Sequence, residues 1–190
     1  MIGFEITLTL EEVTPLTLRK LIIPSNITFE KLHDIISIVF NLKKNEKYKF
    51  IIDQLNLEIL DTGRLNRDII DSRYEKIDKY FKAFDELKYK NTFWDVSINV
   101  AEISYDKHYP QITDIRGYYN PVPEFSSTDE FSEFIEMKMN KDDIRFKFKF
   151  NRINKLKIQE DLMILFNVQY EIVDRKIFEV KTQETLDKLL

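Results

Sequence analysis

The chain has no cysteine, which removes a disulfide framework, a thiolate zinc site and a cysteine nucleophile together. Glycine occurs only at Gly3, Gly63 and Gly117, too scattered to build a P-loop or a dinucleotide-binding turn. The two histidines, His33 and His108, lie far apart with no H-x-x-x-H spacing, so a zinc site would need carboxylates to complete it. His33 is expected on a helix surface. No stretch approaches the ~20 apolar residues of a spanning helix. The start, Met1-Ile2-Gly3-Phe4-Glu5, lacks the basic region and apolar core of a secretory signal. A cytoplasmic protein with no membrane partner is the expectation. Neither sign of charge dominates: 33 acids against 29 bases give a formal charge of -4, with no global pull towards phosphate backbones or anionic lipid.

What the chain does have is apolar and aromatic mass. Of 190 residues, 43% are apolar and 13% aromatic, with 15 Phe and 9 Tyr, enough to bury a full core and exclude wholesale disorder. The length suits one domain with an added C-terminal segment. Phe4, Ile6, Leu8 and Leu10 alternate with Glu5, Thr7 and Thr9, the period of a strand with one buried face. Leu16 to Ile23 is β-rich and stops at Pro24, so it reads as the antiparallel return strand. Thr28 can cap a helix whose Phe29, Leu32, Ile35, Ile36, Val39 and Phe40 form one stripe.

Tyr48–Ile52 and Leu55–Leu60 read as short strands, with a turn at Asp61-Thr62-Gly63. That triplet occurs in aspartic proteases, which need two such carboxylates. One copy is present, and a turn is the better reading. Residues 66–86 space Tyr74, Ile77, Tyr80, Phe81 and Phe84 compatibly with a helix. Trp94, Val96, Ile98 and Val100 alternate with Asp95, Ser97 and Asn99, predicting a central strand that can run to Ile103. Residues 105–127, with Pro110, Gly117, Pro121 and Pro123, read as one long irregular loop of the kind that often carries function.

Ser127 or Thr128 caps a further helix with an apolar side of Phe131, Phe134, Ile135 and Met139. Ile144, Phe146, Phe148 and Phe150 then alternate with Arg145, Lys147 and Lys149, which predicts a strand. Beyond Leu156 come a helix around Glu160 to Phe166, a strand within Tyr170 to Val180 and a short helix from Thr182. The mixture, with little βαβ rhythm, indicates an α+β protein: a mixed, mainly antiparallel sheet packed by a few helices.

Two segments stand out as candidate contact surfaces. Tyr118, Tyr119, Asn120, Pro121, Pro123 and Glu124 combine rigid aromatics, an amide and backbone-restricting prolines, as recognition loops do; such a loop can equally pack back on the sheet. The basic run 138–157 includes Arg145, Lys147, Lys149 and Arg152 as candidate phosphate contacts. Strand alternation would place its aromatics and cations on opposite faces, which argues against base stacking beside cations. A solvated strand whose lysines prevent edge pairing is the favoured reading. Tyr105-Asp106-Lys107-His108-Tyr109 gathers acid-base groups, and a hydrolase built on it is a minor alternative.

The run Pro15-Leu16-Thr17-Leu18-Arg19-Lys20-Leu21-Ile22-Ile23-Pro24 is similar to the Pro-Pro-Ile-Trp-Arg-Arg-Val-hydrophobic-Val-Pro strand of the plasmid pRiA4b open-reading-frame-three-like family. Ile27 to His33 resembles its first helix with a Leu-His pair. Trp94 to Ile98 resembles its Trp-Glu-His-Glu-Ile strand, Pro123-Glu124 its Pro-Pro-Glu-Asp loop, and Phe150 to Leu156 its closing helix start. The likeness covers 1–157, leaving 158–190 as a C-terminal extension expected to pack on the domain. It implies an α+β fold, an association with plasmids and insertion elements, and no particular reaction. Where the family has His-Leu-His before its third strand, this chain has Glu46-Lys47-Tyr48, and Val96 replaces the His after the Trp. The Asp-Phe-Gly-Asp turn has no counterpart in Tyr89 to Phe93, and Ser126-Ser127 stand where paired glycines would be. A histidine-dependent or metal site of the family is therefore expected to be lost. The expectation is a non-enzymatic binding or protein-interaction domain without a cofactor, its contact surface the loop Tyr118 to Glu124 and its partner an unidentified protein. The alternative is a nucleic-acid-associated protein using the basic stretch.

Overall fold

The computed structural model describes residues 2–13, 16–43, 46–60, 70–117, 128–139 and 144–168, with the backbone alone at 134–135, 137–139 and 144–154. The alternation of the first segment folds as read: β1 (Ile2–Leu10) buries Phe4, Ile6, Leu8 and Leu10 and leaves Glu5, Thr7 and Thr9 on the other face. It pairs antiparallel with β2 (Thr17–Pro24), from Gly3 opposite Pro24 to Leu10 opposite Thr17. Gly3 is required at this crossing, because a Cβ there would lie 2.5 Å from Tyr105 Cβ and 2.8 Å from the Ile23 carbonyl oxygen.

The remaining strands are β3 (Tyr48–Ile52), β4 (Leu57–Leu60), β5 (Ile70–Asp71), β6 (Glu86–Asn91), β7 (Asp95–Ser104) and β8 (Gln111–Arg116). They form one eight-stranded sheet in the order β5-β4-β3-β6-β7-β1-β2-β8. Every pairing is antiparallel except β4 with β5. The β7 strand lies centrally between β6 and β1, as its alternation predicts.

Above one face lie the helices. Helix α1 (Phe29–Phe40) starts where Thr28 Oγ1 accepts from the Lys31 amide at 3.2 Å and ends at Asn41, whose φ of 53° lets Leu42 N–H return to the Ser37 carbonyl. Its Phe29, Leu32, Ile35, Ile36 and Val39 meet Phe4, Ile6, Leu21, Phe50, Ile52, Leu87 and Ile98 in one core. Burying each such side chain contributes about 1.5–3 kcal/mol. The opposite face is polar, with surface ion pairs Lys20–Glu5, Lys49–Glu58, Lys88–Asp53 and Lys90–Asp95. Helix α3 (Thr128–Met139) packs Phe131 edge-on to Trp94 at 5.7 Å. Helix α4 (Ile144–Leu165) buries Ile158 and Leu162 in the same core and therefore runs across residue 157.

Three expectations are corrected. Residues 66–86 do not form a helix over their described part; a single turn, α2 (Asp78–Phe81), is helical. Local bonding diverts the segment: Asp71 Oδ1 accepts from the Arg73 amide, and the Ser72 and Glu75 carbonyls are spent on the first amides of α1, those of Glu30 and Phe29. The expected loop 105–127 contains β8, six residues held between Pro110 and Gly117. The strand expected at 144–150 is the first part of α4. The period-2 pattern there is overridden because the segment continues into a stretch rich in helix formers and fixed by Ile158 and Leu162. The expected strand within 170–180, the helix from Thr182 and the turn at Asp61-Thr62-Gly63 lie outside the described residues.

Candidate functional site

The buried polar chemistry gathers where α1 crosses β3 and β6. Helical spacing carries His33 to the core side of α1 rather than its surface, correcting the sequence expectation. The ring is 4% exposed, its Nδ1 lies 3.0 Å from Tyr89 Oη, and it stacks on Tyr48 with ring centres 3.7 Å apart. Tyr48 Oη in turn shares a 2.9 Å hydrogen bond with Ser72 Oγ. One turn along α1, Ser37 Oγ is buried beside the Tyr89 hydroxyl, with no hydrogen bond of ordinary geometry among the described residues. Burial pushes the Tyr89 hydroxyl well above the ordinary tyrosine range, a rise only partly offset by Asn91 and by Ser37 alongside. These groups can hold a proton between imidazole and phenol.

Two positions at which the family pattern carries histidine meet at Tyr89. Tyr48 stacks near it with ring centres 6.1 Å apart, and Val96 is its register partner across β6 and β7. The second histidine, His108, is elsewhere, edge-on to Tyr109 in the β7–β8 connection. There Tyr105 donates to the Tyr109 carbonyl at 2.7 Å and Lys107 to Gln111 Oε1 at 3.1 Å. Burial lifts the Tyr105 hydroxyl to about 12. Its donor is thus engaged in shaping the turn. Among the described residues no group of His, Asp and Glu is placed to hold a metal.

A second buried polar centre was not singled out from the sequence. Alternation in β2 puts Arg19 on the core face with Leu21 and Ile23, fully buried. Its Nε donates to the Val39 carbonyl at 3.0 Å, one of its terminal nitrogens donates to the carbonyls of Leu18 and Arg116 at 2.8 and 2.7 Å, and the guanidinium lies over the Phe40 ring at 5.1 Å. A cation thus sits at the carbonyl end of α1, where the helix dipole favours it, and is tied to the end of β8. Next comes Gly117, with φ of 77°. A Cβ there would lie 2.7 Å from Thr17 Cα and 2.8 Å from the Leu16 carbonyl oxygen, so only glycine fits against β2. The signal available in the sequence was the Leu-Arg-Lys run within an apolar strand.

Tyr118, Tyr119, Asn120, Pro121, Pro123 and Glu124 lie outside the described residues, immediately beyond this anchored strand end. Arg145, Lys147, Lys149 and Arg152 are on α4, described by backbone alone. They are therefore not on a strand, and the argument separating their cations from the aromatics by alternation no longer applies. Of the neighbouring cations, Lys155 donates to the Thr113 carbonyl at 2.6 Å and is engaged within the fold.

Among the described residues no helix is long and apolar enough to cross a membrane. A crystal structure of a protein of unknown function from Methanosarcina mazei Go1 is similar, with a TM-score of 0.60 and 19% identity over 77% of this chain and 86% of that one. The likeness shows the α+β fold. No curated protein matches. The family described as plasmid pRiA4b ORF-3-like protein matches residues 3–155. The chain belongs to the pRiA4b ORF-3-like family.

Proposed function

We propose that this protein is a non-enzymatic binding domain that presents residues 118–124 to a protein partner. The carrying observation is the anchored take-off of that segment: Arg19 donates to the Arg116 carbonyl, and Gly117 packs on Thr17 and Leu16. A contact loop binds more tightly when its base is held, because less ordering entropy is lost on association. The placement of the acid-base groups among the described residues supports the same reading. The His33–Tyr89 pair is closed off from solvent and the Tyr105 hydroxyl is spent on a turn. The test is an affinity pull-down from native lysate, with and without nuclease, using the unaltered chain and the Tyr119→Ala/Pro123→Ala variant. A protein recovered with the unaltered chain after nuclease, and lost with the variant, is the expected result. Equal recovery with the variant overturns the loop assignment.

The second reading is nucleic-acid association through the first half of α4. Its supporting observation is that helical period brings positions 145, 149 and 152 into one row. It predicts recovered nucleic acid, binding that weakens steeply with salt, and loss on the charge reversals Arg145→Glu and Lys149→Glu.

A further inference from the structure

The β6–β7 turn and α1 are joined by a chain of side-chain hydrogen bonds whose direction follows from counting donors. Asn91 Oδ1 accepts from the amides of Phe93 and Trp94 at 2.9 and 2.7 Å. Two backbone donors converging on one terminal atom make that atom the oxygen, so the other end of the carboxamide is its amino group. That end meets the Tyr89 hydroxyl: the Asn91 side chain bonds to it in the sense that favours the phenolate, as a donor does. Glu75, which accepts from Tyr80 Oη at 2.7 Å, acts on that tyrosine in the opposite sense. Ser37 Oγ lies beside the Tyr89 oxygen in looser geometry and acts in the same sense as Asn91. The further partner is His33 Nδ1, 3.0 Å away, on a ring whose plane is held by its stacking on Tyr48.

A phenolic hydroxyl has one hydrogen to give and a lone-pair side that accepts. With the donors of Asn91 and Ser37 directed at the oxygen, its own hydrogen is left for the imidazole. We infer that Asn91 is the positioning residue of this chain: by facing Tyr89 with its amino group it turns the Tyr89 proton onto His33 Nδ1, and so holds the imidazole as the neutral tautomer with its hydrogen on Nε2. The ring then serves as a hydrogen-bond donor through Nε2, its acceptor nitrogen being already engaged. A single amide in the turn, whose oxygen shapes the approach to Trp94, thereby sets the state of a buried ring on the helix. The inference rests on α1 and β6 and is independent of the loop reading.

The experiment uses the full chain labelled with the heavy nitrogen isotope at histidine, in which NMR separates a protonated ring nitrogen from an acceptor nitrogen by chemical shift. The chain has two histidines, so a His108→Gln variant assigns the His33 signals. The expected result near neutral pH is an unprotonated Nδ1 and a protonated Nε2. In Asn91→Asp the carboxylate still accepts from the Phe93 and Trp94 amides but has no hydrogen to give. Tyr89 then donates to it, as Tyr80 donates to Glu75, and a proton appears on His33 Nδ1. A purely structural role for Asn91 would leave the tautomer as it was. A protonated Nδ1 in the unaltered chain, or a folded Asn91→Asp variant with Nδ1 still unprotonated, overturns the inference. Should Asn91→Asp fail to fold, Tyr89→Phe decides. Loss of the donated hydrogen moves the Nδ1 signal towards that of a free acceptor nitrogen, which supports the inference; an unmoved signal overturns it.

Discussion

Arg19 shows how a residue's role is set by partners far away in the chain. A cation in a strand reads as a solvent-facing residue, yet alternation with Leu21 and Ile23 commits it to the core. Carbonyls 20 and 97 residues distant, those of Val39 and Arg116, then satisfy it. Its resemblance to the family's Arg was legible; its burial was not, because neither carbonyl carries a sequence signature. Replacing Arg19 with Met removes those bonds while keeping most of the volume, and should cost about 3 kcal/mol in denaturant-induced unfolding. Tyrosines give the residue-scale pH dependence. Tyr105 is raised from 10.0 to about 12, and Tyr80 and Tyr89 are raised further, all chiefly by burial. Below about 10 both folded and unfolded forms keep these protons. As pH rises above that value the unfolded chain releases protons that the folded chain holds, so stability declines. Alkaline titration should therefore show tyrosinate absorbance rising together with loss of circular dichroism. Ionisation of all nine tyrosines near pH 10 with the fold intact would contradict this.

Elements whose signal is periodic and self-contained were legible. The β1 alternation, the α1 stripe and the β7 alternation each survive because the neighbours they need are supplied on the expected face. Thr28 illustrates a local signal that holds: its hydroxyl accepts from the Lys31 amide, so Thr28→Ala should lower stability by about 1 kcal/mol, measured by thermal or chemical unfolding. Elements that depend on a neighbour were misread. Residues 72–75 lose their helix to the amides of α1, and β8 hides between a proline and a glycine that suggest only loop. The α4 start carries a strand's alternation and becomes helix because its continuation is fixed in the core. The candidate site shares this pattern: the Leu-His pair was read, but the stacking of His33 on Tyr48 requires knowing that β3 lies beneath α1.

At the scale of the whole molecule, α1, the sheet and α4 share one hydrophobic cluster rather than separate ones. Trp94, the sole tryptophan, is buried against Phe131 on α3, which makes its fluorescence a reporter from the part of the core where α3 meets the sheet. Leu162 lies on α4 and is fully buried, while Lys31 on α1 donates to the Leu165 carbonyl at 2.9 Å and closes the end of that helix. If the cluster acts as one cooperative unit, loosening α4 must be felt at Trp94, although Leu162 and Trp94 are far apart in the sequence. Leu162→Ala should destabilise the chain by about 3 kcal/mol. Trp94 fluorescence and far-ultraviolet circular dichroism should shift to the same lower midpoint, as two-state unfolding requires. A circular-dichroism transition that moves while the fluorescence midpoint stays fixed would instead make α4 an independently melting appendage, and the core two units rather than one.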